Sequence, residues 1–196
     1  MSDPVPARDA ASLLLLRPGP AVLMGMRGAG HRFMPSKLVF PGGAVDPEDR
    51  DAPCGTPLRP ATQAALARTG GVDLAHALGI AAARELAEET GLSLGTPPRL
   101  HTLAYLCRAV TPPDSPVRFN ARFLVAEDTE ASGLLAGSGE LQDLRWLGVV
   151  DALALDLAPV TRGVLQHLLD WLDLPDQARH GRTATPVCLQ RFWEME

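Results

Sequence analysis

The chain has 196 residues, 46% of them hydrophobic, and a formal net charge of −5. That length suits one domain with a sizeable core, and the acidic balance argues against bulk attraction to nucleic acid. No apolar run reaches the ~18 residues of a membrane span, and "MSDPVPARDA" lacks the basic and apolar regions of a signal peptide, so a soluble, cytoplasmic protein with no membrane partner is expected.

In chain order, "ASLLLLR" and "AVLMGMR" read as two strands joined by a tight "PGP" turn. A loop-like stretch follows, with one short apolar piece, "KLVF", stopped by Pro41-Gly42-Gly43. Residues 50–72 are rich in Pro, Gly and Ala, and within them "RPATQAALAR" predicts a short helix closed by Gly70-Gly71. Asp73 is a suitable N-cap for a helix from about Leu74 to Thr90, with Gly91 at C′. "RLHTLAYLCRAV" and "VRFNARFLVAE" predict two longer strands flanking "TPPDSP", and "SGELQDLRWLGV" a loop and a short strand. "TRGVLQHLLDWL" carries helical apolar spacing, whereas the tail "GRTATPVCLQRFWEME" has no decisive pattern, and its "FWEM" is expected to dock on the body or on a second subunit. Strands and helices interleave, yet several strands are joined by short turns, which favours a mixed sheet covered by helices.

The chemistry concentrates in "AAARELAEETGL", residues 81–92. At 100° per residue, Glu85, Glu88 and Glu89 share an arc of about 100°, opposite Ile80, Ala83, Leu86, Ala87 and Thr90, which would face the core. A solvated acidic face on a helical interaction module would account for three glutamates alone. Two features argue for more. No lysine is interleaved with them, and the helix is preceded by the glycine turn "FPGG" and further acid in "DPEDRD". Three carboxylates on one face form a hard-oxygen set of the kind Mg²⁺ or Mn²⁺ prefers, an ion that usually completes its shell with water and substrate phosphate. Cys54, Cys107 and Cys188 fit neither a disulfide framework nor a zinc spacing, and the five histidines are equally scattered.

"PGGAVDPED" followed by "AAARELAEETGL" resembles the signature of the Nudix hydrolases, G-x5-E-x7-R-E-U-x-E-E-x-G-U with U a bulky aliphatic residue. Gly43 matches the first glycine, Asp49 stands in place of the first glutamate, and Arg84, Glu85, Leu86, Glu88, Glu89, Gly91 and Leu92 match the second half. The spacer between Asp49 and Arg84 is 34 residues where the signature has seven, so an insertion of 27 residues splits it. "FMPSKLVFPGGAVDPED" and "TPPDSPVRFNARFLVA" are similar to the branch containing coenzyme A diphosphatases.

The resemblance implies a Nudix fold: a mixed β-sheet in an α/β/α sandwich with a helical insertion. A single domain would span 1–196, with the insertion at about 50–76 as an ordered excursion beside the active site and a C-terminal helix and tail at 160–196. It implies metal-dependent hydrolysis of a diphosphate bond in a nucleoside diphosphate linked to another group, coenzyme A or acyl-coenzyme A among the candidates. A nucleoside triphosphate pyrophosphohydrolase and a non-catalytic nucleotide-binding regulator are the alternatives. Glu85 and Glu89 are implied as the main ligands of Mg²⁺ or Mn²⁺, with Glu88 and Gly43 contributing, and Arg84 as their organiser. Glu88 and Glu140 are the candidate general bases. Arg27, Arg32, Arg118 and Arg122 are candidate phosphate grips, and Phe33, Tyr105 and Phe119 candidate stacking residues. The partner is a small-molecule diphosphate, with a homodimer left open.

Overall fold

The computed structural model describes residues 5–28, 30 and 34–196. β1 (Arg8–Arg17) and β2 (Ala21–Arg27) form the expected hairpin, turning at Gly19, whose φ of 111° suits glycine. β3 (Leu38–Val39) and β4 (Gly42–Ala44) follow, then α1 (Pro60–Ala67) and α2 (Gly71–Thr90). β5 (Leu92–Ser93), β6 (Ala104–Val110), β7 (Phe119–Glu127), β8 (Ser132–Gly133) and β9 (Leu141–Gly148) lead to α3 (Val149–Leu153) and α4 (Pro159–Leu172). The chain ends in α5 (Asp176–His180), β10 (Pro186–Leu189) and β11 (Phe192–Met195).

The main sheet runs β11-β10-β6-β7-β1-β2-β3, with β4 pairing β1 and β9 pairing β2; β5 and β8 form a separate small ribbon. β1 lies parallel to β7 along its length and antiparallel to β2, so the sheet is mixed. Its centre is covered on both faces, which explains the unbroken leucines of β1. Leu13 and Leu15 join a core with Leu78 and Leu86 of α2, while Leu14 and Leu16 join a second core with Leu165 and Leu168 of α4. This is the expected α/β/α arrangement.

Two boundaries differ from the sequence reading. α2 begins at Gly71 after Gly70, so Asp73 sits inside the first turn rather than capping it; there its charge still complements the helix dipole. Residues 71–76, read as the end of an insertion, are therefore the first turns of α2. The tail, which carries no decisive pattern in sequence, is a β-hairpin: "FWEM" is β11, and β10 adds in parallel to the edge strand β6. At the other end of α2, Gly91 is left-handed (φ 73°) and its N–H donates to Ala87 O at 3.0 Å, as expected for C′. Among the described residues no helix is long and apolar enough to cross a membrane.

Candidate active site

Arg84 projects from α2 to the loop after β4 and spends its guanidinium on that junction. Its Nε and Nη2 donate to the two carboxylate oxygens of Asp49 at 3.1 and 3.0 Å, and Nη2 also donates to Ala44 O at 3.0 Å. Nη1 reaches Glu85 Oε1 at 2.7 Å and Glu88 Oε2 at 3.3 Å. Asp49 is only 3% exposed, and its Oδ2 also accepts the Asp46 N–H at 2.8 Å. A planar five-donor fork is the side chain suited to this bidentate task. It joins residues 35 positions apart, so the glycine turn and the acidic helix are held as one unit.

Two glycines make the close approach possible. A Cβ on Gly43 would lie 2.3 Å from Glu85 Oε1, so the backbone of β4 passes directly against that carboxylate. Gly42 N donates to Glu89 Oε2 at 2.8 Å. Glu89 is 1% exposed, and its other oxygen, Oε1, has no hydrogen-bond partner among the described residues. Burial pushes its pKa up to about 8, assisted by the negative charges of Glu85 and Glu140 and opposed by the Gly42 N–H and by Arg27. Glu85 is also raised: burial outweighs its bond to Arg84, and Glu88 and Glu140 push the same way. The pairing raises Arg84 further above its ordinary value, with Asp49 the chief cause.

A buried carboxylate oxygen without a partner is a standing debt. A divalent cation fits it: hard-oxygen donors on Glu89 and Glu85 lie beside a backbone that glycine lets come close. The described residues do not gather three acidic, His or Cys side chains into one metal cluster. Arg84 engages Glu85 and Glu88, and the Glu88 side chain is 59% exposed and turned outward. The acidic arc is thus split, with Glu89 buried against β4, Glu85 intermediate and Glu88 in solvent.

The remaining candidates separate by location. Glu140 is exposed in the loop before β9, yet close enough for its charge to raise Glu85 and Glu89. Arg27, at the end of β2, has a buried Nε without a hydrogen-bond partner among the described residues and lines a cavity of about 410 Å³ that also borders Gly42 and Gly43. Arg118 lies away from that lining and donates instead to Thr111 O at 3.1 Å and Val5 O at 2.6 Å. Arg122 is fully buried on the α2 side, paired with Asp9 and bonded to Thr69 Oγ1 at 2.9 Å. Tyr105 packs in the α2-side core, while Phe119 lines the cavity. Phe33 and Arg32 lie outside the described residues. Sequence reasoning missed Ser12, Phe40, Thr161, Cys188 and Trp193, which line the same cavity from four parts of the chain. No local pattern links them.

A NUDIX domain model matches residues 60–168, more than half of the chain. The chain belongs to the Nudix family. The matched segment contains α2 with all three glutamates, whereas Gly43 and Asp49 precede it. Among solved structures, a NUDIX hydrolase from Alicyclobacillus acidocaldarius is 27% identical, with 83% of this chain and 90% of that one covered and a TM-score of 0.64. The MutT protein from Methanosarcina mazei Go1 is 16% identical over 86% of this chain and 97% of that one, at a TM-score of 0.59. The NUDIX domain of Shewanella oneidensis NrtR, solved with ADP ribose, is 17% identical over 86% and 90%, at 0.55. The last two share the fold. No curated protein matches the chain. Membership in the Nudix family implies hydrolysis of nucleoside diphosphate derivatives and, in general, use of a divalent metal ion.

Proposed function

We propose that the chain is a Mg²⁺- or Mn²⁺-dependent diphosphatase that cleaves the anhydride bond of a nucleoside diphosphate linked to another group. The observation that carries this reading is the buried, unpartnered Oε1 of Glu89 next to Glu85 and the Gly42–Gly43 backbone. Glu85 and Glu89 would hold the ion, with Glu88 as a third carboxylate and the Gly43 region offering a backbone carbonyl. When bound, the ion supplies positive charge against the diphosphate and acidifies water. The Asp49–Arg84 fork supports reading Gly43 to Leu92 as one Nudix signature interrupted by an insertion.

The chain's own groups then divide the work. Arg84 positions Glu85 and Glu88. Arg27, whose side chain lines the cavity beside Gly42 and Gly43, grips a phosphate oxygen. Glu88, solvent-facing, accepts a proton from the attacking water, with Glu140 the other candidate base. The water oxygen forms a bond to one phosphorus, the bridging P–O bond breaks, and its electron pair stays on the departing phosphate.

Coenzyme A or an acyl-coenzyme A is the substrate we favour, on the resemblance of "FMPSKLVFPGGAVDPED" to that branch. The test is kcat/KM on coenzyme A, ADP-ribose, dinucleoside polyphosphates and the common nucleoside triphosphates, each with Mg²⁺ or Mn²⁺ and after chelation. Turnover of an internal diphosphate that chelation abolishes and either ion restores is the expected result. A clearly higher value on any triphosphate replaces this reading with a nucleotide pyrophosphohydrolase. No turnover anywhere leaves a binding domain.

A further inference from the structure

The cavity that borders Gly42 and Gly43 lies on the α4 side of the sheet, and its depth has a specific cause. Ala10 of β1 is in register with Ala121 of β7, Ala121 with Ala109 of β6, and Ala109 with Cys188 of β10. All four line the cavity. Four small side chains abreast leave a slot across the sheet, spanning three strand spacings or about 14 Å. Phe123 and Phe40, packed edge to face with centroids 6.2 Å apart, stand beside it, and Pro159 and Val160 of α4 roof it. The slot runs from the end bordered by Gly42 and Gly43, where Arg27 and Ser12 sit, to the C-terminal hairpin, where Trp193 closes it.

Few polar groups serve the interior. Thr111 Oγ1 already accepts the Phe119 N–H at 3.0 Å, and Arg191 is paired with Asp114 at 2.8 Å. Beyond Ser12 and Arg27, the lining side chains that could replace the hydrogen bonds a sugar or a base gives up on leaving water are Thr111, Ser115, Thr161, Arg191 and the Trp193 indole, and an unreplaced bond weakens binding severalfold or more. A methylene faces the opposite balance: each one removed from water is worth roughly fourfold in binding.

We infer that this slot takes an apolar arm of the substrate, so that the group esterified beyond the diphosphate is aliphatic or aromatic where it fills the cavity, not a sugar or a nucleobase. The inference rests on the diphosphate-hydrolase reading and names the substrate class for that site. The hairpin β10–β11 thereby becomes a specificity wall. It is fixed to α4 by Trp193, whose indole lies so close to Gly163 that an added Cβ would sit 2.4 Å from Nε1.

The test compares ADP esters that share one nucleoside and one diphosphate: methyl-, butyl- and octyl-ADP, with ADP-ribose as the polar arm. Hydrolysis of each gives AMP and the phosphate of the arm. The expected result is kcat/KM at least tenfold higher for octyl-ADP than for methyl-ADP, with ADP-ribose below the octyl ester. In Ala121→Leu and Cys188→Phe, two independent ways of filling the slot, the octyl-to-methyl ratio falls towards one. A flat series with measurable turnover, or ADP-ribose as the best member, overturns the inference and leaves the hydrolase reading standing. If no ester is hydrolysed, that reading fails, and calorimetry with octyl phosphate and methyl phosphate decides the slot alone. Tighter octyl binding with a negative heat-capacity change supports it, and equal binding refutes it.

Discussion

At the scale of single residues, Glu89 carries a large electrostatic strain. A glutamate carboxyl in water titrates near 4.3, whereas burial lifts Glu89 to about 8. Between those values the folded chain retains a proton that the unfolded chain has released. Stability of the metal-free protein therefore falls as pH rises through this window and levels off above about 8. Glu89→Gln stays neutral and removes that slope. Its Tm in chelator should exceed wild type by several degrees at pH 8 and differ little at pH 5, since a tenfold change in proton affinity is worth about 1.4 kcal/mol. Turnover should meanwhile drop at least about a hundredfold, the loss of a ligand to several kcal/mol of charge stabilisation. Melting curves across pH and single-substrate kinetics check both halves. The neighbouring glycines make a contrasting pair. On Gly43 the atoms nearest an added Cβ all belong to the Glu85 carboxylate, the end of a side chain, so Gly43→Ala should change stability by less than about 1 kcal/mol yet cost tenfold or more in kcat. On Gly42 the Cβ would meet Ala11 O at 2.5 Å and Ser12 Cα at 2.6 Å. That backbone has no freedom to give way, and Gly42→Ala should lose about 3 kcal/mol in urea unfolding.

At the scale of elements, the segment between Asp49 and Arg84 is ordered rather than a loose insert. Leu58 and Leu66 are buried in the α2-side core, Thr62 Oγ1 donates to Leu103 O at 3.1 Å, and His76 Nε2 contacts Ala52 O at 2.9 Å. The chain leaves the site at Asp49, crosses to the first turns of α2 through α1, and returns to the site along the helix. Leu66→Ala should therefore cost about 2–5 kcal/mol, and amides in α1 should exchange slowly in the native protein. Fast exchange throughout residues 60–67 would contradict this packing. The C-terminal hairpin is a second such element. His167 and Trp193 stack edge to face with centroids 4.4 Å apart, over the notch at Gly163. Gly163→Ala should loosen β10–β11, visible as a changed Trp193 fluorescence, and widen the range of arms accepted, while the α2 carboxylates keep their metal affinity.

For the whole molecule, what could be read in advance depended on whether the signal was local. The leucine run of β1, the "PGP" turn, the apolar stripe of α4 and the spacing of Arg84, Glu85, Glu88 and Glu89 each express one element's period or sterics, so the sequence alone determined the longer strands, the helices α1, α2 and α4, the mixed sheet and the acidic face of α2. The same periodicity treated the three glutamates as equivalents, because a helical wheel has no knowledge of what packs against it. Only the tertiary structure decided that β4 covers Glu89, that Arg84 draws Asp49 in across the intervening segment, and that Glu88 faces water. Likewise, alternation in β1, β6, β7 and β10 could not reveal that Ala10, Ala121, Ala109 and Cys188 fall in one row, since register arises between strands far apart in the chain. The tail carried too short a pattern to be assigned until the exposed edge of β6 gave β10 a partner. Local periods and caps are written along the chain, whereas burial, charge environment and cavity shape come from residues brought together by folding, and those set the chemistry of this site.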